Sequence, residues 1–122
     1  VAKASTALDS ARQIGDSRIA HVELDGVSGK ELRSIGENLR GKLGSGAVLV
    51  AARDGEKVSL LVAVTADCTS RLHGGKLVSA LAPLVGGRGG GRPDMAQAGG
   101  SDPSGISSAV ETFYAQATDA LG

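Results

Sequence analysis

Two arginines, Arg88 and Arg92, stand inside a run of glycines, and that is where the sequence offers chemistry most plainly. The segment Gly86-Gly87-Arg88-Gly89-Gly90-Gly91-Arg92-Pro93-Asp94-Met95-Ala96-Gln97-Ala98-Gly99-Gly100 holds seven glycines in fifteen residues. Ordering them costs backbone entropy. Close approach of the backbone to a partner is one return for that cost: exposed N–H groups form an anion-binding concavity, and the arginines add charge and forked donors. On this reading the run curves tightly, with positive φ, so Gly90→Val is expected to weaken binding while leaving the fold largely intact. A flexible linker is the plain alternative. Against it, Arg92-Pro93-Asp94-Met95-Ala96-Gln97 contains a φ-restricting proline and alternates enough to read as a short strand. Known phosphate motifs do not fit. A Walker loop needs Lys-Ser/Thr after its last glycine, where this chain has Arg92-Pro93, and GxGxxG begun at Gly87 and Gly89 finds Arg92 at its third glycine.

The remaining chemistry-bearing residues do not assemble into a catalytic set. His21 and Glu23 mimic a zinc-deaminase HxE without the PCxxC partner. His73 has no second His or Cys at ligand spacing, and Ser45 lacks the GxSxG frame. Cys68, the single cysteine, has no histidine near it in sequence and reads as an inert small side chain. No catalytic residue, metal site or cofactor is expected. Charge is distributed more tellingly than its total. Thirteen Lys and Arg balance thirteen Asp and Glu over 122 residues, so there is no global basic field. Yet residues 71–93 carry Arg71, Lys76, Arg88 and Arg92, plus His73, with no acid, and residues 94–122 carry four acids and no base. An anion partner would be held by that local patch.

These residues must be positioned by one domain of ordinary size. Val1 to Ile14 permits a helix and reads as the tail of one. Ile19, Val22 and Leu24, closed by Asp25-Gly26, mark a short strand. Ser28 with Glu31 is a capping-box signature, and Leu32, Ile35, Leu39 and Leu43 recur at helical spacing before Gly44. Ala47 to Ala52 and Val58 to Val64 are apolar runs around Asp54-Gly55, a hairpin signal giving two buried antiparallel strands. Leu77 to Val85 predicts a second helix that Pro83 cuts short by disfavouring a helical ψ at Ala82. Asp102 as N-cap and Pro103 after it open a third helix with a stripe of Ile106, Val110, Phe113, Ala117 and Leu121. The fold class expected is α+β, or mixed α/β: a small central sheet with helices packed on it, and a glycine-rich loop before the last strand and the C-terminal helix. No apolar stretch approaches the roughly 18 residues of a membrane span, and the N-terminus lacks a signal-peptide pattern. A soluble, cytoplasmic protein is expected.

The stretch Gly87 to Gly99 resembles the hallmark of the C-terminal domain of bacterial alanyl-tRNA synthetases, the C-Ala or DHHA1-type domain. The likeness covers roughly Arg18 to Leu121 and divides the chain into residues 1–16, the end of a preceding helical region, and a globular domain at 17–122 with its glycine-rich motif at 86–100. In phosphodiesterase relatives the glycines are usually followed by a histidine that contacts phosphate; Arg92-Pro93 holds that place here, which favours the synthetase branch. The resemblance implies a non-catalytic domain that binds the elbow of an alanine-specific tRNA and helps couple aminoacylation with editing, both carried out by upstream domains of the same chain. Dimerisation of the full-length protein is also implied. The motif positions Arg88, Gly89, Gly90, Gly91, Arg92, Pro93, Asp94 and Gln97, with Arg71 and Lys76 of the acid-free stretch, are the expected nucleic-acid-binding residues. A substrate-binding domain of a DHH-family phosphodiesterase, or a protein-interaction module, is the alternative. Elbow recognition would go mainly by shape, with Met95 either against a base face or in the core. Phe113 and Tyr114 are the only aromatics, too few for RRM-like or OB-like base stacking.

Overall fold

The computed structural model describes residues 12–14, 17–26, 29–69, 72–91 and 94–121. Its centre is a hairpin of strands β3 (Gly46–Asp54) and β4 (Lys57–Val64). Both are nearly continuous apolar runs because both faces are covered. On β3, Ala47, Leu49 and Ala51 look to one side and Val48, Val50 and Ala52 to the other, all buried. The register pairs Asp54 with Lys57, so the loop is Gly55-Glu56. Gly55 has φ +64 and Glu56 does not take positive φ, the pattern of a turn that wants glycine first. The hairpin is as expected, one residue further along than its Asp-Gly signal.

Strand β2 (Ser17–Asp25) joins β3 in parallel. Helix α1 (Gly29–Leu43) makes the crossover, burying Leu32 and Leu39 against Val48, Val50 and Leu61. It stops at Gly44, whose φ is +83, and the Arg18 guanidinium donates to the Leu43 carbonyl at 2.8 Å, supplying a donor to one of the end carbonyls a helix leaves orphaned. Ser28 lies outside the described residues, and with it the capping box. The helix expected to run through Ile14 is not found at its described end: Arg12–Ile14 form an edge strand, β1, paired antiparallel with β2. An edge position asks only for backbone pairing, so no hydrophobic pattern announces it.

Helix α2 (Gly74–Leu81) continues into a 3-10 turn over Ala82–Val85. Pro83 acts there, but Ala82 keeps a helical ψ of −44°; the helix tightens where a break was expected. Asp102 accepts from the Ser104 amide at 3.1 Å and from its hydroxyl. It opens a short 3-10 turn at Pro103–Gly105, then helix α3 (Ile106–Leu121). Ile106, Ala109, Phe113 and Ala117 are its buried stripe, with Val110 packed partly buried beside it. Helices α2 and α3 cover one face of the sheet and α1 the other.

The largest difference concerns the glycines. They form strand β5 (Arg88–Gly91), paired antiparallel with β6 (Met95–Gly100). The sheet order is β1-β2-β3-β4-β6-β5, so the expected loop is an edge strand and the expected strand at 92–97 begins at Met95. The class remains α+β, with a six-stranded sheet and three helices among the described residues.

Candidate nucleic-acid interface

Strand β5 lies exposed along Arg88–Gly91. Gly90 is paired with the exposed Gln97, and Gly89 with Ala98. The Ser79 hydroxyl of α2 donates to the Gly89 carbonyl at 3.2 Å, so that carbonyl points away from β6. In an antiparallel ladder the N–H of a residue points the same way as its C=O. The Gly89 amide therefore faces the outer edge, and by the two-residue period so does that of Gly91.

Helix α2 stands close beside this edge because glycine meets glycine. A Cβ on Gly75 would come within 2.5 Å of the Gly91 carbonyl oxygen, and a Cβ on Gly89 would collide with Ala98. Internal packing thus demands these glycines before any ligand does. Gly90 differs: it has no positive φ, and a Cβ there would meet only the Ser79 hydroxyl at 3.8 Å, an ordinary contact. The expectation that Gly90 carries the tight curvature is corrected accordingly.

A groove of about 390 Å³ runs between α2 and the edge, lined by His73, Gly75, Lys76, Ser79, Gly90 and Gly91. His73 caps α2, its Nδ1 accepting from the Lys76 amide at 3.2 Å. With Nδ1 an acceptor, the neutral ring carries its proton on Nε2 and offers a donor there. Lys76 is exposed on the groove wall, Arg88 is exposed on the strand, and among the described residues neither has an acidic partner. On the α1 side a smaller depression of about 210 Å³ is lined by Arg33, Met95 and Gln97 with Gly90 and Gly91. The glycine edge is thus reachable from both faces, with donors and cations on each.

The other expected site residues divide. Asp94 faces Arg40 of α1, which pairs with its carboxylate at 3.6 Å and donates to its carbonyl at 3.1 Å; it anchors the entry to β6. Met95 packs, partly buried, on the α1-side core. Arg71, Arg92 and Pro93 lie outside the described residues. Sequence reasoning counted His73 in the acid-free stretch and weighed it as a metal ligand without naming it among the binding residues, and it passed over Ser79 and Arg33. The signal for His73 was its place directly before an apolar helical run, but histidine is not among the usual caps.

Elsewhere the polar residues serve the fold. His21 Nδ1 meets the Tyr114 hydroxyl at 2.7 Å and its Nε2 lies 3.6 Å from Glu23. Cys68 is buried beside Ser17 and Ser45. Burial pushes its thiol up, hydrogen bonds with Ser17, Ser45 and Thr65 pull it down and prevail, and Asp67 opposes them, so the thiol is held below its ordinary value. Among the described residues no group of three or more His, Cys, Asp or Glu side chains could hold a metal ion, and no helix is long and apolar enough to cross a membrane.

Comparison with known proteins places this geometry in company. The DHHA1 domain family matches residues 16–119. An alanine–tRNA ligase of Anaeromyxobacter dehalogenans is 48% identical over 111 residues, 91% of this chain and 12% of that protein; the chain therefore spans a small fraction of such a relative. The crystal structure of the C-Ala domain from Aquifex aeolicus alanyl-tRNA synthetase superposes with a TM-score of 0.82 at 25% identity, over 88% of this chain and 97% of that one. An exopolyphosphatase-related protein from Bacteroides fragilis shares the fold alone, with a TM-score of 0.58 at 14% identity over 97% of this chain and 34% of that one.

Proposed function

The chain belongs to the DHHA1 domain family, and from that premise we propose that it is the tRNA-binding C-terminal domain of an alanine–tRNA ligase, non-catalytic in itself, which grips the tRNA elbow and helps couple aminoacylation with editing. The observation that carries this reading is the glycine edge. Strand β5 is exposed and turns the amides of Gly89 and Gly91 to its outer edge beside α2; Lys76 and the His73 imidazole line the groove there without an acid among the described lining residues, and Arg88 is exposed at the start of the strand. Such an edge suits a ribose-phosphate backbone, whose oxygens accept from amides, guanidinium and ammonium alike. It offers no aromatic platform, so recognition goes by backbone shape, which is what an elbow displays. Arg92 and Pro93 extend the same motif, and Arg71 the same acid-free stretch. The upstream activating and editing domains of the parent chain are its partners in this reading, dimerisation belongs to the full-length protein, and the compartment is the cytoplasm.

Filter binding of an alanine-specific tRNA transcript, compared with an acceptor-stem minihelix that lacks the elbow, tests the proposal. Full tRNA is expected to bind better than the minihelix. Arg88→Glu and Arg92→Glu are each expected to weaken it more than Arg53→Glu, a position on β3, three strands in from β5, where the guanidinium lies 3.8 Å from Asp25. Each lost phosphate contact should flatten the dependence of log K on log salt by about 0.7 to 0.9. Equal binding of minihelix and full tRNA, with equal sensitivity to all three arginines, would reduce the domain to a general polyanion binder.

A further inference from the structure

The groove beside β5 does not end at Lys76. His73 and Lys76 also form one wall of a second groove, of about 370 Å³, bounded on its far side by Gln116 and Ala120 of α3. Its floor is Leu72 and Leu77, both buried, and Thr69 closes one end. The two grooves share His73 and Lys76, an imidazole donor and a cation, and read as two lobes of a channel that crosses α2 at those residues; no acidic side chain is among the described residues lining either lobe. The second lobe differs in chemistry from the first: an apolar floor with one amide and one hydroxyl at its rim, where the first has backbone amides. A phosphate suits the junction. A flat, mostly apolar body with a few hydrogen-bonding atoms suits the far lobe.

We propose that the channel seats two consecutive nucleotides of an RNA strand, with the phosphodiester between them over His73 Nε2 and Lys76, one nucleotide against the glycine edge and the next nucleoside on the Leu72–Leu77 floor, its polar edge within reach of Gln116. This rests on the tRNA-binding reading above and extends the interface from β5 across α2 to α3. Charge complementarity to a nucleic acid lies at the junction, where Lys76 lines both lobes and no acid is among the described lining residues; the acids of α3 within its described residues, Glu111 and Asp119, line neither lobe, so an anionic strand can cross the helix at Gln116 and Ala120.

The test uses the 122-residue chain, the alanine-specific tRNA transcript as probe, and circular dichroism to confirm that each variant is folded. Ala120→Glu places a carboxylate in the far lobe and is expected to weaken binding about tenfold. Gln116→Ala is expected to weaken it about threefold. Ala115→Glu adds the same charge to an exposed position of α3 that lines neither lobe, and is expected to leave affinity within twofold. Equal losses from Ala120→Glu and Ala115→Glu, or no loss from Ala120→Glu while Arg88→Glu and Lys76→Gln still weaken binding, would overturn the channel and leave the glycine-edge reading standing. Insensitivity to Arg88→Glu and Lys76→Gln as well would overturn both.

Discussion

Gly89 and Gly90 are neighbours of one residue type with opposite structural obligations. A side chain at Gly89 runs into Ala98, the residue paired with it on β6, whereas one at Gly90 reaches only Ser79 at van der Waals distance. Gly89→Val is therefore expected to destabilise the chain by about 1–3 kcal/mol, the usual cost of forcing atoms into a filled space. Gly90→Ala is expected to fold with its thermal midpoint nearly unchanged, and to weaken tRNA binding by placing a methyl group on the groove wall. Thermal denaturation followed by circular dichroism, paired with the binding assay, separates the two; a Gly89→Val chain as stable as the parent would show that the β5–β6 contact is looser than described. The glycine signal itself was legible from sequence, but its cause was not. Seven glycines announce that something comes close, and composition cannot say whether that something is a ligand or the chain's own helix and strand.

At the scale of elements, α1 holds the β5–β6 hairpin at the entry to β6. Arg40, in its last turn, donates to the Asp94 carbonyl and pairs with the Asp94 carboxylate, both side chains roughly a third exposed. Arg40→Ala is expected to cost about 1 kcal/mol, between an exposed ion pair and a charged hydrogen bond, and so to lower the melting temperature by roughly 4 °C. Arg33→Ala, on the same helix but exposed, should shift it by no more than about a degree. Equal shifts for the two would deny the strap. The helices and the central strands could be read from sequence because each carries its own period: Leu32, Leu39 and Leu43 at helical spacing, Val58 to Val64 as an unbroken apolar run between turn signals. Strands β1 and β5 could not. Arg12-Gln13-Ile14 is too short to show alternation and Arg88-Gly89-Gly90-Gly91 has neither alternation nor β propensity; both are strands because a neighbour's backbone offers a ladder. The same reasoning applies to the candidate site: Lys76, Arg88 and Gln97 were legible as charge and motif, while the capping role of His73 and the places of Ser79 and Gln116 beside the grooves come from packing of α2 and α3 that no local pattern records.

The described residues form a three-layer block with the glycine strand β5 at one rim of the sheet and β1 at the other. With the polar clusters occupied in caps and turns, the chain by itself is expected to show no turnover of alanine with ATP, of mischarged tRNA or of a dinucleotide above buffer; sustained product formation by the purified chain would refute the non-catalytic assignment. The sheet order has a further consequence. Strand β5 has a strand partner along one side only, β6, its outer edge being held by the Ser79 hydrogen bond to the Gly89 carbonyl, and β6 reaches the body of the sheet through pairs as distant in sequence as Val58 with Gly100. The outermost strand can therefore detach while everything inboard of it stays folded, and the free energy of that opening is smaller than that of global unfolding. Backbone amides of Arg88 to Gly91 should exchange with solvent deuterium far sooner than those of β3, and a bound RNA, by occupying the rim, should slow them first. Recognition and local order are in this sense one equilibrium, whose midpoint the ligand sets.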